Sequence, residues 1–222
     1  MIFTRRVAKI RDCKRRITLG DSFQEKSYSR HAAEFHEYAH GQSMGDLAKT
    51  WFDTDTVDAW RHRRMYATVN PILENSPGSR WVTVGDGRYG NDAKYLSENG
   101  VSALATNISD VLLKEAFEAG YIAEYGEENA ERLSFDDESF DYALCKEAYH
   151  HFPRPMIALY EMLRVTRKGI VLIEPNDSFI PSNFMAIVTR QLKAFVNFLL
   201  GKQHIKHEYE EAGNYVFRIS RR

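Results

Sequence analysis

Cysteine is nearly absent: Cys13 and Cys145 are the only two in 222 residues. They form no metal-ligand spacing, and two such residues exclude a disulfide scaffold. A reducing, cytoplasmic setting is the default expectation. No stretch approaches the roughly 18 apolar residues of a membrane span. The first residues lack an apolar h-region, so no signal peptide is expected. Net charge is also missing: at −1, the chain has no overall pull toward nucleic acid or acidic membranes. Neither internal repeats nor low-complexity tracts occur.

What is present is enough apolar material for a core, 43% hydrophobic and 13% aromatic residues. The length fits one domain with an appended segment. Charge is uneven at the start, where Arg5, Arg6, Lys9, Arg11, Lys14, Arg15 and Arg16 face only Asp12. Residues 1–20 read as a solvated, flexible basic tail. A transit peptide or an anionic docking arm is the alternative, and Asp12 and the scarcity of serine count against the former.

Helical patterns are expected over about Ser27–His40 and Thr56–Leu73, the second with Val57, Trp60, Arg64, Met65 and Val69 near helical spacing. Pro71 should kink or end it. Residues 21–78 therefore read as a helical cap, closed by the loop Asn75–Ser79. From 79 to 175 the pattern alternates. Strands are expected at Trp81–Val84, Val101–Thr106, about Tyr121–Tyr125, Phe140–Cys145 and Ile170–Ile173. Helices are expected from about Asn91 to Leu96, from Asp110 to Ala119 with Asp110 or Ser109 as cap, and from Pro155 to Val165; Lys168-Gly169 reads as a turn. Alternating β and α with short connections implies a doubly wound, mostly parallel α/β sheet. In the last segment, 176–222, Phe184–Leu200 reads as one apolar helix and Asn214–Ser220 as one extended stretch.

The informative feature is Gly85-Asp86-Gly87-Arg88-Tyr89-Gly90, directly after the apolar run Trp81–Val84. Glycine permits positive φ and lets a ligand approach the backbone, while the following helix points its N–H groups at that place. The spacing also fits the dinucleotide fingerprint, but the acidic residue expected about 20 positions on is replaced by Asn107.

Five segments in order carry a family resemblance: Trp81–Gly87, Ala105–Ser109, Asn129-Ala130-Glu131 with Leu133-Ser134-Phe135, Ser139–Tyr142 through Tyr149-His150-His151-Phe152, and Ile173-Glu174-Pro175. Together they resemble the class I S-adenosylmethionine-dependent methyltransferases of the type 11 branch, with a Rossmann-like sheet and an N-terminal helical lid. The resemblance implies methyl transfer from S-adenosylmethionine to a small-molecule acceptor at O, N or C, with S-adenosylhomocysteine as product. It implies cofactor contacts at Val84, Gly85, Asp86, Gly87, Asn107, Ile108, Asn129, Ala130, Cys145 and Lys146. Candidate catalytic groups are Glu147, His150 and His151; candidate lid or substrate residues are Tyr28, Trp60, Arg61 and Tyr149.

Two departures stand out. The family has acidic residues where this chain has Thr83 and Asn107. An amide makes a weaker bond to a ribose hydroxyl than a carboxylate does. Asp86 could supply the missing charge near the cofactor ammonium, or simply shape the turn. The family's closing antiparallel hairpin has no counterpart after Pro175, so the C-terminus reads as shortened. An uncovered sheet edge invites a homodimer through that segment, or the protein is longer. The competing class is a cofactor-binding or interaction module without catalysis. No metal, nucleic acid or transmembrane segment is expected.

Overall fold

A computed structural model describes residues 23–53 and 55–175, together with residues 188, 189, 192 and 196. The cap begins with α1 (Phe23–His40), stops at Gly41 and continues as α2 (Gln42–Lys49) and a 3₁₀ turn (Thr50–Phe52). The sequence pattern gave no element to residues 42–52. The expected single helix over Thr56–Leu73 is two. Thr56 caps α3 (Val57–Tyr66), its hydroxyl accepting the Ala59 N–H at 3.1 Å. The chain turns at 67–69 and resumes as α4 (Asn70–Asn75), with Pro71 in its first turn, where a missing N–H costs nothing.

The rest alternates as expected: β1 (Arg80–Val84), α5 (Asn91–Glu98), β2 (Ser102–Asn107), α6 (Val111–Glu118), β3 (Glu124–Glu127), β4 (Phe140–Lys146), α7 (Pro155–Val165) and β5 (Thr166–Ile173). The sheet order is β3-β2-β1-β4-β5, and every pairing is parallel. Trp81 through Val84 are all buried, which is why β1 reads as an unbroken apolar run. One core cluster, with Trp81, Leu96, Leu112, Leu113 and Leu144, lies beneath α5 and α6. The other, with Val82, Val84, Cys145, Met162 and Val165, lies beneath α7. Sheet order reverses between β1 and β4, so the crevice beyond their carboxyl ends is where such a sheet receives ligands.

Three expectations are corrected. Lys168-Gly169 is not a turn but part of β5, and a register shift between Phe140 and Tyr142 accommodates it. Asp141 holds this stretch in place, 3.2 Å from Lys168 Nζ and 3.4 Å from an Arg167 nitrogen. The third strand starts at Glu124 rather than at Tyr121, whose hydroxyl bonds Asn91 at 2.6 Å instead. Asp110 stands at the N-cap of α6 without a side-chain capping bond. The basic tail, the extended stretch Asn214–Ser220 and the question of a closing hairpin lie outside the described residues. Of the expected helix Phe184–Leu200, the described Val188, Thr189, Leu192 and Val196 are helical and exposed. Among the described residues no helix is long and apolar enough to cross a membrane.

Candidate active site

The glycine turn sits at the tip of β1. Gly85 has φ +82°, and a Cβ there would lie 2.4 Å from Ala148 Cβ. Position 85 therefore excludes a side chain twice over, by backbone conformation and by space. A Cβ on Gly87 would fall 2.1 Å from the Phe35 ring of α1, which covers this bare backbone. Between them, Asp86 is turned inward. Its Oδ1 accepts the Asp92 N–H at 3.1 Å; Oδ2 accepts the Ala93 N–H and the Thr83 hydroxyl, each at 2.9 Å. The carboxylate is thus spent on the first turn of α5, not on the open crevice. The Thr83 hydroxyl orients that carboxylate. Burial, then the negative charge of Asp92, push Asp86 up to about 7.

Behind the turn lies a buried ion pair. Lys146 Nζ, at the end of β4, is 3.3 Å from Asp92 Oδ1, and both side chains are 5% exposed. The Tyr66 hydroxyl donates to the same Asp92 oxygen at 2.7 Å, and the Tyr66 ring stacks on Tyr95 at 4.5 Å. Burial and the neighbouring carboxylate push the Tyr66 phenol well above its ordinary value. Lys146 also lies 3.1 Å from His62 Nδ1 on α3. The other ring nitrogen of His62 meets Arg88 at 2.9 Å, Asp58 at 3.4 Å and Glu147 at 3.7 Å. Burial, then the Lys146 charge, hold His62 below its ordinary pKa and favour the neutral ring. Glu147 follows β4 at φ +52°, an uncommon conformation for a residue with a side chain, and pairs with Arg61 at 3.1 Å.

The next residues form a 3₁₀ turn, Tyr149–His151. Glu174, just past β5, stitches it down: one oxygen accepts the Ala148 N–H at 3.2 Å and the Tyr149 N–H at 2.9 Å, and the other pairs with His150 Nδ1. On the opposite wall, Glu131 gathers the Arg154 backbone N–H, Arg154 Nε and the Tyr28 hydroxyl, each at 2.6 Å. This latch ties α1 to the core. Burial, then the bond to Glu131, raise the Tyr28 pKa.

These elements enclose a cleft of about 710 Å³. Of the residues selected from sequence, Gly85, Asp86, Gly87, Asn107, Ile108, Asn129, Ala130 and Lys146 line it. So do Glu147, His150, His151, Tyr28 and Arg61. Four do not. Val84 and Cys145 point into the core cluster under α7. Trp60 lies on the outer face of α3, half exposed beneath the Arg64 guanidinium, 4.9 Å from its ring. Tyr149 turns toward Phe152 and Met156. Sequence reasoning gave no role to Tyr66, Asp92 or Arg154. His62 and Phe35 belong to the aromatic and histidine-rich helix pair expected to act as a lid, and Glu131 and Glu174 to the quoted motifs. A usable signal existed for Glu174, an acid ending a buried strand at the ligand edge of the sheet.

Residues 82–173 match the family model described as a methyltransferase domain. The 2-methyl-6-phytyl-1,4-hydroquinone methyltransferase of Synechocystis is 30% identical over 116 residues, 49% of this chain and 36% of that protein. The chain thus spans little more than a third of that relative's length. Among solved structures, the YcgJ protein of Bacillus subtilis is 22% identical with a TM-score of 0.50, covering 72% of this chain and 63% of its own. The BH2331 protein of Bacillus halodurans C-125 is 24% identical with a TM-score of 0.49, covering 69% and 62%. The ordered motifs and the parallel sheet agree with this match, and residues 82–173 resemble a class I S-adenosylmethionine-dependent methyltransferase domain.

Proposed function

We propose that this chain transfers a methyl group from S-adenosylmethionine to a small-molecule acceptor, at O, N or C. The observation that carries the reading is the bare backbone of the Gly85–Gly87 turn, set where strand order reverses and opening on the cleft. The cofactor supplies a methyl carbon that is already electrophilic, so the protein's main task is placement. Gly85 and Gly87 would hold its methionine part. Asn107 spends its Nδ2 on the Ser109 carbonyl at 2.9 Å, which leaves Oδ1 to accept from a ribose hydroxyl. Asn129 accepts the Glu131 N–H on Oδ1 at 2.9 Å and also bonds the Tyr28 hydroxyl by its side chain, and an adenine edge would lie beside it, Ala130 and Ile108. Phe35 and the latched Tyr28 would close the lid. The Synechocystis relative, itself a methyltransferase by name, supports the same reading.

The test has two stages. S-adenosylhomocysteine at about 100 times its Kd adds roughly 2.7 kcal/mol of stability, which for this size is about 5–11 °C in Tm. Transfer of a labelled methyl group into a small-molecule extract then separates an enzyme from a module that only binds. An unmoved Tm refutes cofactor binding; binding without transfer refutes catalysis. A cytoplasmic setting and a homodimer through the residues after 175 belong to the same proposal. A monomer by sedimentation at high concentration would refute the dimer.

A further inference from the structure

The cleft is lined by four histidines, His31, His62, His150 and His151. They are not equivalent. His62 has Lys146 on one ring nitrogen and Arg88, Asp58 and Glu147 around the other. His151 packs against the His150 ring at 4.0 Å and edge-on to His31 at 5.7 Å. His31 lies 3.9 Å from Glu34 on its own helix. A ring nitrogen of His150 pairs with a buried carboxylate, Glu174, 6% exposed.

The hydrogen-bond chemistry then places a proton on Nδ1. Backbone N–H groups can only donate, so the Glu174 oxygen that meets Ala148 and Tyr149 must accept. An ionised carboxylate has no hydrogen to give, so its second oxygen accepts from His150 Nδ1–H. As a base, His150 would then offer its lone pair at Nε2, the nitrogen not engaged by Glu174, and His150 lines the cleft. Aromatic side chains, Phe35, Tyr38, Trp51 and Tyr66, line the same cleft and suit a flat apolar body.

Resting on the methyltransferase reading, we propose that the acceptor is a phenolic hydroxyl, that His150 Nε2 takes its proton, and that Glu174 is the positioning residue that makes His150 a base. The balance is simple. The acceptor O–H proton goes to Nε2, the oxygen lone pair forms the new O–CH₃ bond, the sulfur keeps the electrons of the broken S–CH₃ bond, and the imidazolium returns its proton to water.

Glu174→Gln is the decisive variant. The Ala148 and Tyr149 amides still demand an acceptor, so the glutamine oxygen turns to them. Its NH₂ then faces His150 Nδ1, which must accept, and the proton moves to Nε2. ¹⁵N NMR of labelled histidine should show Nδ1–H in the wild type and Nε2–H in Glu174→Gln. Labelled-methyl transfer to a panel of catechols and hydroquinones, with anilines of the same rings for comparison, should give methyl ethers. Glu174→Gln should lower that rate by roughly 10²–10⁴, with S-adenosylhomocysteine affinity within twofold of wild type. His150→Gln, which leaves the Glu174 amide contacts in place, should lower it as much. A wild-type proton on Nε2, an unchanged rate in either variant, or label found on anilines alone or on no phenol overturns the proposal while cofactor binding stands. Absence of S-adenosylhomocysteine binding overturns the methyltransferase reading beneath it.

Discussion

Lys146→Met tests whether the floor of the cleft is held by charge. Lys146 and Asp92 are 3.3 Å apart with side chains 5% exposed, so water cannot replace the lost partner. Removing one member of a buried pair leaves the other uncompensated, at a cost of about 3–5 kcal/mol. The Tyr66 hydroxyl at 2.7 Å relieves part of the Asp92 penalty, which places the expected loss toward 3 kcal/mol. For a chain of this size that is a fall in Tm of about 6–12 °C. Adding Asp92→Asn should recover more than about 1 kcal/mol of the loss, because the buried charge is then gone and the amide still accepts from Tyr66. The exposed pair Lys49–Asp46, 3.1 Å apart but 76% and 77% exposed, is the internal control: Lys49→Met should cost less than about 1 kcal/mol. Urea unfolding of the four proteins reads all of this. A Lys146→Met protein within about 1 kcal/mol of wild type, or a double variant no better than the single, would refute the reasoning.

Asp86 makes a pH-dependent contribution of known sign. Its folded value is raised from 3.8 to about 7, so its stabilisation is full below pH 4 and is lost as pH rises to about 7. The stability advantage of wild type over Asp86→Asn, from urea midpoints at each pH, should shrink across that window and level off above it; a constant difference contradicts the assignment. Gly85→Ala should cost about 2–5 kcal/mol, combining left-handed strain with the 2.4 Å clash against Ala148, and should abolish calorimetric binding of S-adenosylhomocysteine. A stable variant that binds normally would show that this backbone is not the cofactor floor. Tyr28→Phe deletes one bond to a buried carboxylate, worth about 1.5–3 kcal/mol. Hydrogen exchange in α1 should quicken roughly 10- to 100-fold while the sheet keeps its protection; uniform change across the chain would mean the latch is not local.

Much of this architecture was legible in the residues. The run Trp81–Val84 followed by Gly85 announces a buried parallel strand and a bare turn, because both demands leave few residue choices. What escaped was set by tertiary context. Residues 42–52 are divided between an eight-residue helix and a three-residue 3₁₀ turn, too short for a sequence pattern to stand out. Lys168-Gly169 has the composition of a turn, yet pairing with β4 holds it as strand. Trp60 and Arg61 are neighbours, and only the helix phase decides that Arg61 meets Glu147 while Trp60 faces outward. Asp86 is chemically suited to a turn, a helix start or a ligand, and only its bonds to Thr83, Asp92 and Ala93 choose among them.

A crystal structure of the chain grown with S-adenosylhomocysteine addresses the main assignment head-on. The homocysteine part should lie along the Gly85–Gly87 backbone, with a ribose hydroxyl on Asn107 Oδ1 and the adenine at Asn129 and Ala130. A nucleoside bound away from that turn, or none at saturating concentration, would contradict it.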